Sequence, residues 1–579
     1  MRSSRPPRKS PSQILHDRKT RLEARAQAVR PRGLRDGVPA PFFRERRAMR
    51  SPEKSQAQKA TKMVPAPPSA GVVAYSRLAF GPSPGDIEAF DALGATDAQR
   101  LQVWVDQQLD PSSLDDSAAD ARLAQSGFQT MNKTSGQLWN EHTLAEEWDV
   151  HMQPLWETRL ATWIRAIHSR RQLFEVLVDF WHNHFNVFAD EFLFGSVWSF
   201  TDTQVIRTHA LGNFRQMIED VTRSPAMLFY LDNVFNNLED ANENYARELI
   251  ELHTMGAEAY LGSMPQGEVP TDGNGVPIGY TEDDVIGAAR CLTGWTLETD
   301  WVYWEFENTG DFIYYDDWHD HAPKTVLGLD LPANQGPMQD GFDLLDRLAQ
   351  HPATAQHVAG KLARRLLGDF PPQSVVDAAA AVFSAQWQAP DQIAQVVRTI
   401  VLAPEFLTTW GDKVKRPFEM AASCFRGGGA DLAFELDDDD TGWFEWEYYQ
   451  TGQPLFGWHP PNGYPDIKFA WNTTSPRVMC WRMANFFVQI YNETTETHYF
   501  DLLGQTPAGV RSAQELVDFW GARILGRPLL SDESQSLVNF MAQGASPSAD
   551  LPLDDDWNTQ ERLRAMVALI FMSPSFLWR

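Results

Sequence analysis

The chain is predicted to be mainly α: a multi-helix globular body with a small β insertion near 296–335 and a disordered basic N-terminal arm. Three observations carry this. Apolar residues recur at spacings of three and four through most of 71–295 and again through 336–579, the pattern of amphipathic helices. Between them one stretch turns aromatic and partly alternating, as short strands do. The composition, 43% hydrophobic and 22% charged over 579 residues, is that of a chain that folds. At roughly 100–200 residues per domain, this length supports two to four lobes.

Taken in order, residues 1–70 are rich in Arg, Pro, Ser and Ala and too poor in periodic apolar residues to offset the entropy of ordering. Order is expected from about Ala70. The segment SPGDIEAFDALG (83–94) reads as a short helix with Ser83 as N-cap, Pro84 at the first position and Gly94 as the stop. An N-terminal helical lobe, 71–295, follows, with the clearest helical patterns at 143–168, 171–188, 203–222, 239–256 and 281–293. In 171–188, Leu173, Leu177, Phe180, Trp181 and His184 line one apolar face. WVYWEFENTGDFIYYDD and KTVLGLDL form the insertion at 296–335. The C-terminal lobe, 336–579, is helical again, interrupted at 427–470 by a polar, acidic and aromatic loop region.

Charge narrows the partners. Residues 1–63 hold 18 Lys and Arg against 5 Asp and Glu, a local +13 that leaves −40 on the remainder of a chain whose total is −27. So acidic a body repels the phosphates of nucleic acid and anionic membranes. Three distant cysteines, with no CxxC pair, argue against a thiolate zinc site or disulfide framework and leave room for one bridge. There is no transmembrane run of 18 apolar residues and no visible signal peptide, since Arg46-Arg47 is followed by polar sequence. Met49 and Met63 are further candidate starts beside Met1.

Three polar motifs stand out. FWHNHF (180–185) places His182 and His184 two apart, about 200° round a helix, so both ligate one ion only where the helix ends or distorts. NENYARELIELHTMG (242–256) puts Asn244, Glu248 and Glu251 on one helix face, with Arg247 beside it and Ala246, Leu249, Ile250 and His253 on another. Carboxylates at helical spacing with a histidine nearby are the material of metal sites in helical proteins, although Glu251-x-His253 is not the Glu-x-x-His spacing of di-iron bundles. WHDHAPKTVLG (318–328) offers His319, Asp320, His321 and Lys324 in a loop before a strand. Each motif also has a plain reading, as core histidine, amphipathic face or capped loop. No Walker loop, GxGxxG, GxSxG or HExxH occurs.

FGPSPGDIEAFDALG (80–94), FWHNHFNV (180–187), NENYARELIELHTMG (242–256), YTEDDVIGAARCLTGW (280–295), HDHAPKTVLG (319–328), KRPFEMAASCFR (415–426) and GQPLFGWHPPNGYPD (452–466) occur in this order. Over about 75–579 the chain resembles the domain-of-unknown-function 1800 family. That resemblance implies bacterial origin, a mostly helical fold, and frequent export beside a sulfatase-like partner protein. It carries over no catalytic residue.

Two functions follow. In the first, the chain is an enzyme, a hydrolase or oxidoreductase. Glu248, Glu251, Arg247 and Lys324 are its catalytic candidates. His182, His184, His253, His319, Asp320 and His321 are candidate ligands for a divalent metal. One of His182 and His184 then meets Glu248, Glu251 or His253, with the 319–324 loop at the rim. In the second, it is a non-catalytic binding or assembly protein whose acidic, Trp-rich surface holds a sulfatase-like partner or an extracellular polymer.

Overall fold

The structure is a computed structural model that describes residues 68–493 and 495–579. The basic arm lies outside the described residues. Within them, helices dominate and strands form three two-stranded antiparallel hairpins. Two of these are the expected insertion: Trp295–Leu297 pairs with Phe312–Tyr314, and Lys324–Val326 with Leu329–Leu331. In the second hairpin Leu327 and Gly328 both take positive φ (49° and 70°), the two-residue turn whose twist matches the strands it joins.

Local chemistry sets the helix ends. The 83–94 segment forms its helix over Asp86–Asp91 instead of from Pro84. Gly85, at φ 89°, turns the chain, and the Asp86 carboxylate accepts the Ser83 amide at 2.7 Å. Asn213 and Ser512 cap the helices Phe214–Arg223 and Ala513–Leu525 through their side-chain oxygens. The helix Gln172–His184 buries Leu173, Leu177, Phe180, Trp181 and His184. Three segments wind as π turns, Trp139–Thr143, Thr201–Ile206 and Leu249–Thr254. Such turns are rare and concentrate at functional positions.

Among the described residues a large apolar core draws residues from Ala70 to Leu577, and a small second cluster joins Val414, Tyr464 and Trp471. Through the large core passes a chain of buried charges. Asp179, on Gln172–His184, pairs with Arg365 at 2.9 Å and Arg416 at 2.5 Å. Glu419, on Pro417–Gly428, takes Arg365, Arg416 at 3.1 Å and Arg579 at 2.8 Å. Lys413 continues the chain to Asp369 at 3.3 Å and Asp466 at 3.0 Å. Burial alone would raise the Glu419 carboxyl, but the three guanidinium groups reverse this and hold it well below the usual range.

All three cysteines are free and buried. No helix among the described residues is long and apolar enough to cross a membrane.

The ion cluster yields a measurable expectation. Glu419→Ala leaves three buried guanidinium groups without their shared carboxylate, so unfolding free energy in a urea titration is expected to fall by about 3–5 kcal/mol. Wild-type stability in that variant would show that Arg365, Arg416 and Arg579 are solvated.

Candidate functional site

The sequence motifs separate into three groups. His182 belongs to the first. Its Nε2 lies 2.9 Å from Asp202 Oδ1, and its ring packs between Phe456 and Trp198. Asp202 is wholly buried in the π turn Thr201–Ile206, and its Oδ2 accepts from Arg207 at 2.8 Å and Arg165 at 3.3 Å. Arg207 is gripped on its other side by both oxygens of Glu175, at 3.0 and 2.8 Å. Burial would raise the Asp202 carboxyl, yet Arg207, His182 and Arg165 hold it well below its ordinary value. Every charge here has a partner.

The 318–328 loop forms the second group. His319 lies between the Thr293 carbonyl, 2.9 Å from Nδ1, and Asp340 Oδ2, 3.2 Å from Nε2. The Lys324 ammonium donates to Asp340 Oδ2 at 2.5 Å, to the Ala322 carbonyl at 3.1 Å and to the Asp320 carbonyl. An ammonium has three donors, so Lys324 is fully used. Asp320 pairs with Arg290 at 2.6 Å, and His321 lies 3.6 Å from Asp316. Behind the loop a cleft of about 650 Å³ opens between Gln266, Arg290, Lys324 and Asp330. Arg247 is likewise engaged, with Glu282 at 2.5 Å and Glu243 at 3.2 Å.

The third group is different. At the end of Gln172–His184, the His184 Nε2–H donates to the His253 carbonyl at 3.0 Å, and the two rings sit 6.1 Å apart. His357, from the helix Pro352–Leu366, lies 6.4 Å from His184 and donates through Nε2 to the Leu252 carbonyl at 3.2 Å. Lys361 stands one turn beyond His357 on that helix. His253 is completely buried and neither of its ring nitrogens has a partner; His184 Nδ1 has none either. The buried Tyr280 hydroxyl also lacks a partner, and its neighbouring charges include Glu251 and Glu248.

Burial pushes His253 down to about 3 and His357 to about 4, with Lys361 adding to both. His184 is driven well below its ordinary value by the same burial, Lys361 and its neighbouring imidazoles. Burial, with Arg364, lowers Lys361 to about 8. At neutral pH the site therefore presents neutral imidazoles with free nitrogens beside a lysine. Gly256 makes room for it: at φ 86°, a Cβ there would stand 2.5 Å from His357 Nδ1.

The structure thus brings His184 and His253 together, and leaves His182 and the 319–324 loop in separate surroundings. Glu248 and Glu251 are half-buried, and Asn244 is exposed. The π turn begins directly after Glu248, so the face that regular α spacing gives Asn244, Glu248 and Glu251 does not continue unbroken. Among the described residues no group of three or more His, Cys, Asp or Glu is disposed to hold a metal ion.

Sequence reasoning passed over His357 and Lys361, whose only signal is a His-x-x-x-Lys spacing on an amphipathic helix. It also passed over Asn183 and Asn186, which clamp the 452–466 loop. Asn183 exchanges hydrogen bonds with the Tyr464 backbone at 2.9 and 2.6 Å, and Asn186 donates to the carbonyls of Trp458 and Pro460. Gly463 is obligatory in that contact, since a Cβ would fall 2.1 Å from the Asn183 carbonyl oxygen. The loop in turn covers His182 with Phe456 and receives the Tyr230 hydroxyl at the His459 carbonyl, 2.5 Å away.

The model of one family, described as a protein of unknown function (DUF1800), matches residues 73–578. No curated protein and no solved structure matches the chain. With the family model covering nearly the whole of the described body, the chain belongs to the DUF1800 family.

Proposed function

We propose that this protein is an enzyme of acid–base chemistry acting on a negatively charged substrate at the His184–His253–His357 cluster. The observation that carries this reading is His253, wholly buried with both ring nitrogens unpartnered. A buried polar atom without a partner costs about 1–3 kcal/mol, so folded proteins rarely keep one without use. Here three such atoms, two on His253 and one on His184, belong to two rings 6.1 Å apart at one π turn.

Lys361 beside the imidazoles supports the negative charge of the substrate in this reading. A general base works best near the ambient pH, and imidazoles held at about 3 and 4 are too weak. An anionic group beside Lys361 offsets the ammonium that depresses them and draws them back toward neutrality. In this reading His184 and His253 exchange protons, Lys361 holds the anion, and Glu248 and Glu251 shape the approach with Tyr230 and Tyr280. Arg247, His182, His319, Asp320, His321 and Lys324 hold the surrounding loops in place.

A second reading, a binding or assembly protein that works with a sulfatase-like partner or a polymer, is favoured by the saturation of the 318–328 loop. Lys324 and His319 have no nitrogen left for chemistry. Histidine resonances separate the two. Adding inorganic phosphate or acetate is expected to raise the NMR-detected titration of His253 and His357. Histidines indifferent to both anions would remove the enzyme reading.

Stability should report the same cluster. A histidine whose folded pKa is depressed stabilises the fold above its unfolded value, about 6.5, and loses that contribution as pH falls toward the folded value. Between pH 6.5 and 5, above the range where carboxylates protonate, His253 should contribute up to about 1.4 kcal/mol of lost stability per pH unit. His253→Gln is expected to flatten that slope in denaturant titrations. An unchanged slope would mean that the ring is already solvated in the folded state.

A further inference from the structure

The C-terminal half carries an aromatic surface that the imidazole cluster does not use. On the helix Asp439–Tyr449, Thr441, Phe444 and Tyr448 face the core, whereas Trp443, Trp446 and Tyr449, three apart, face outward. Trp443 and Trp446 are 59% and 55% exposed. The helix Thr474–Phe487 packs alongside, fastened by Arg482 and Glu447 at 2.6 Å, and adds exposed Val478 and Trp481. Indole rings ordinarily supply burial energy, so a ledge of them facing solvent marks a contact surface.

The surroundings of the ledge are acidic. Asp437, Asp438, Asp439 and Asp440 run into the helix, with Glu435 just before them and Glu445 within it. Arg482, beside the ledge, is already committed to Glu447. Aromatic faces interleaved with carboxylates suit a chain of guanidinium groups, which stack on indole and pair with carboxylate at once. Phosphates and anionic lipid are repelled from the same surface.

We propose that this ledge is the docking surface for the basic segment 1–63 of the same chain. Charge complementarity is the argument: the segment carries +13 and the remainder −40. Reach is no obstacle, since an extended chain covers about 3.3 Å per residue and 67 residues precede the first described one. Covalent attachment supplies a high effective concentration, so individually weak cation–π contacts suffice to populate the docked form.

The experiment uses the full chain. Hydroxyl-radical oxidation, read residue by residue by mass spectrometry, compares Trp443 and Trp446 with Trp557, which is exposed on another helix. At low salt Trp443 and Trp446 are expected to oxidise severalfold more slowly than Trp557. The difference should vanish at high salt, where exposed charges are screened, and at low salt in a variant combining Arg44→Gln, Arg46→Gln, Arg47→Gln and Arg50→Gln. Carbodiimide coupling should join Lys54, Lys59 or Lys62 to the 437–440 carboxylates within one chain. Oxidation rates independent of salt and of the substitutions would overturn the proposal. So would couplings found solely between two copies in a mixture of light and heavy isotope-labelled protein.

Discussion

Everything in this fold leans on the buried exchange of charge between Asp179, Glu419, Arg365 and Arg416. Taking charged groups out of water costs several kcal/mol each, and only close, complete pairing returns it. That makes the cluster exacting. Asp179 comes from the helix that ends at His184, Arg365 from the helix that carries His357 and Lys361, and Glu419 from the helix that follows the 412–416 segment. If one helix slides by a turn, a charge is stranded in the core. The same pairing that holds the halves of the body together therefore fixes the register of two of the elements that build the imidazole cluster. Lys413 and Asp466 extend this control to the 452–466 loop, whose other anchors are Asn183 and Asn186.

The contrast between the three polar groups is one of saturation. Around His182, Asp202 takes three donors and Arg207 fills both oxygens of Glu175; around Lys324, three acceptors meet three donors. Networks closed in this way hold positions and have nothing left to offer a ligand. The His184–His253 pair is open. Its imidazoles gain from each other only one hydrogen bond, and that bond uses a backbone carbonyl. His253 lies within the π turn, buried like Ala246, Leu249 and Ile250, and neither of its ring nitrogens meets a partner there.

Much of the architecture was legible because it depends on local signals. The 3.6-residue spacing in 171–188 and the strand-turn-strand pattern of KTVLGLDL are both written in consecutive residues, and both formed. The start of the 83–94 helix moved by two residues, since Gly85 in a left-handed turn becomes the N-cap and the Ser83 amide donates to the Asp86 carboxylate instead of the Ser83 side chain accepting from the helix. In the candidate site, the proximity of His184 and His253 could be suspected from their motifs. His357 could not, because nothing in PATAQHVAGKLARRL distinguishes a histidine bound for a neighbouring π turn from one on a solvated face. The same is true of Lys324: a loop of alternating histidine and carboxylate reads as reactive, and only the position of Asp340, sixteen residues on, reveals that it is tied.

Residue type alone therefore misranks these motifs. HDHAPK holds the denser set of chemical groups and looks the more reactive, yet His319 and Lys324 are tied to Asp340, and Asp320 to Arg290, at hydrogen-bond distance. The imidazole cluster looks ordinary in sequence, and its character comes from what burial withholds. Water is kept from His253, no carboxylate has been placed at its nitrogens, and Lys361 bears on it from a neighbouring helix, so the imidazole stays neutral while the lysine carries its charge against the cost of burial. On the proposed reading, an anion beside Lys361 would relieve part of the penalty that burial imposes on that ammonium. In this protein the strongly paired charges and the unpaired imidazoles are two parts of one arrangement: the first supplies the rigidity without which the second would relax, rotate and find partners of its own.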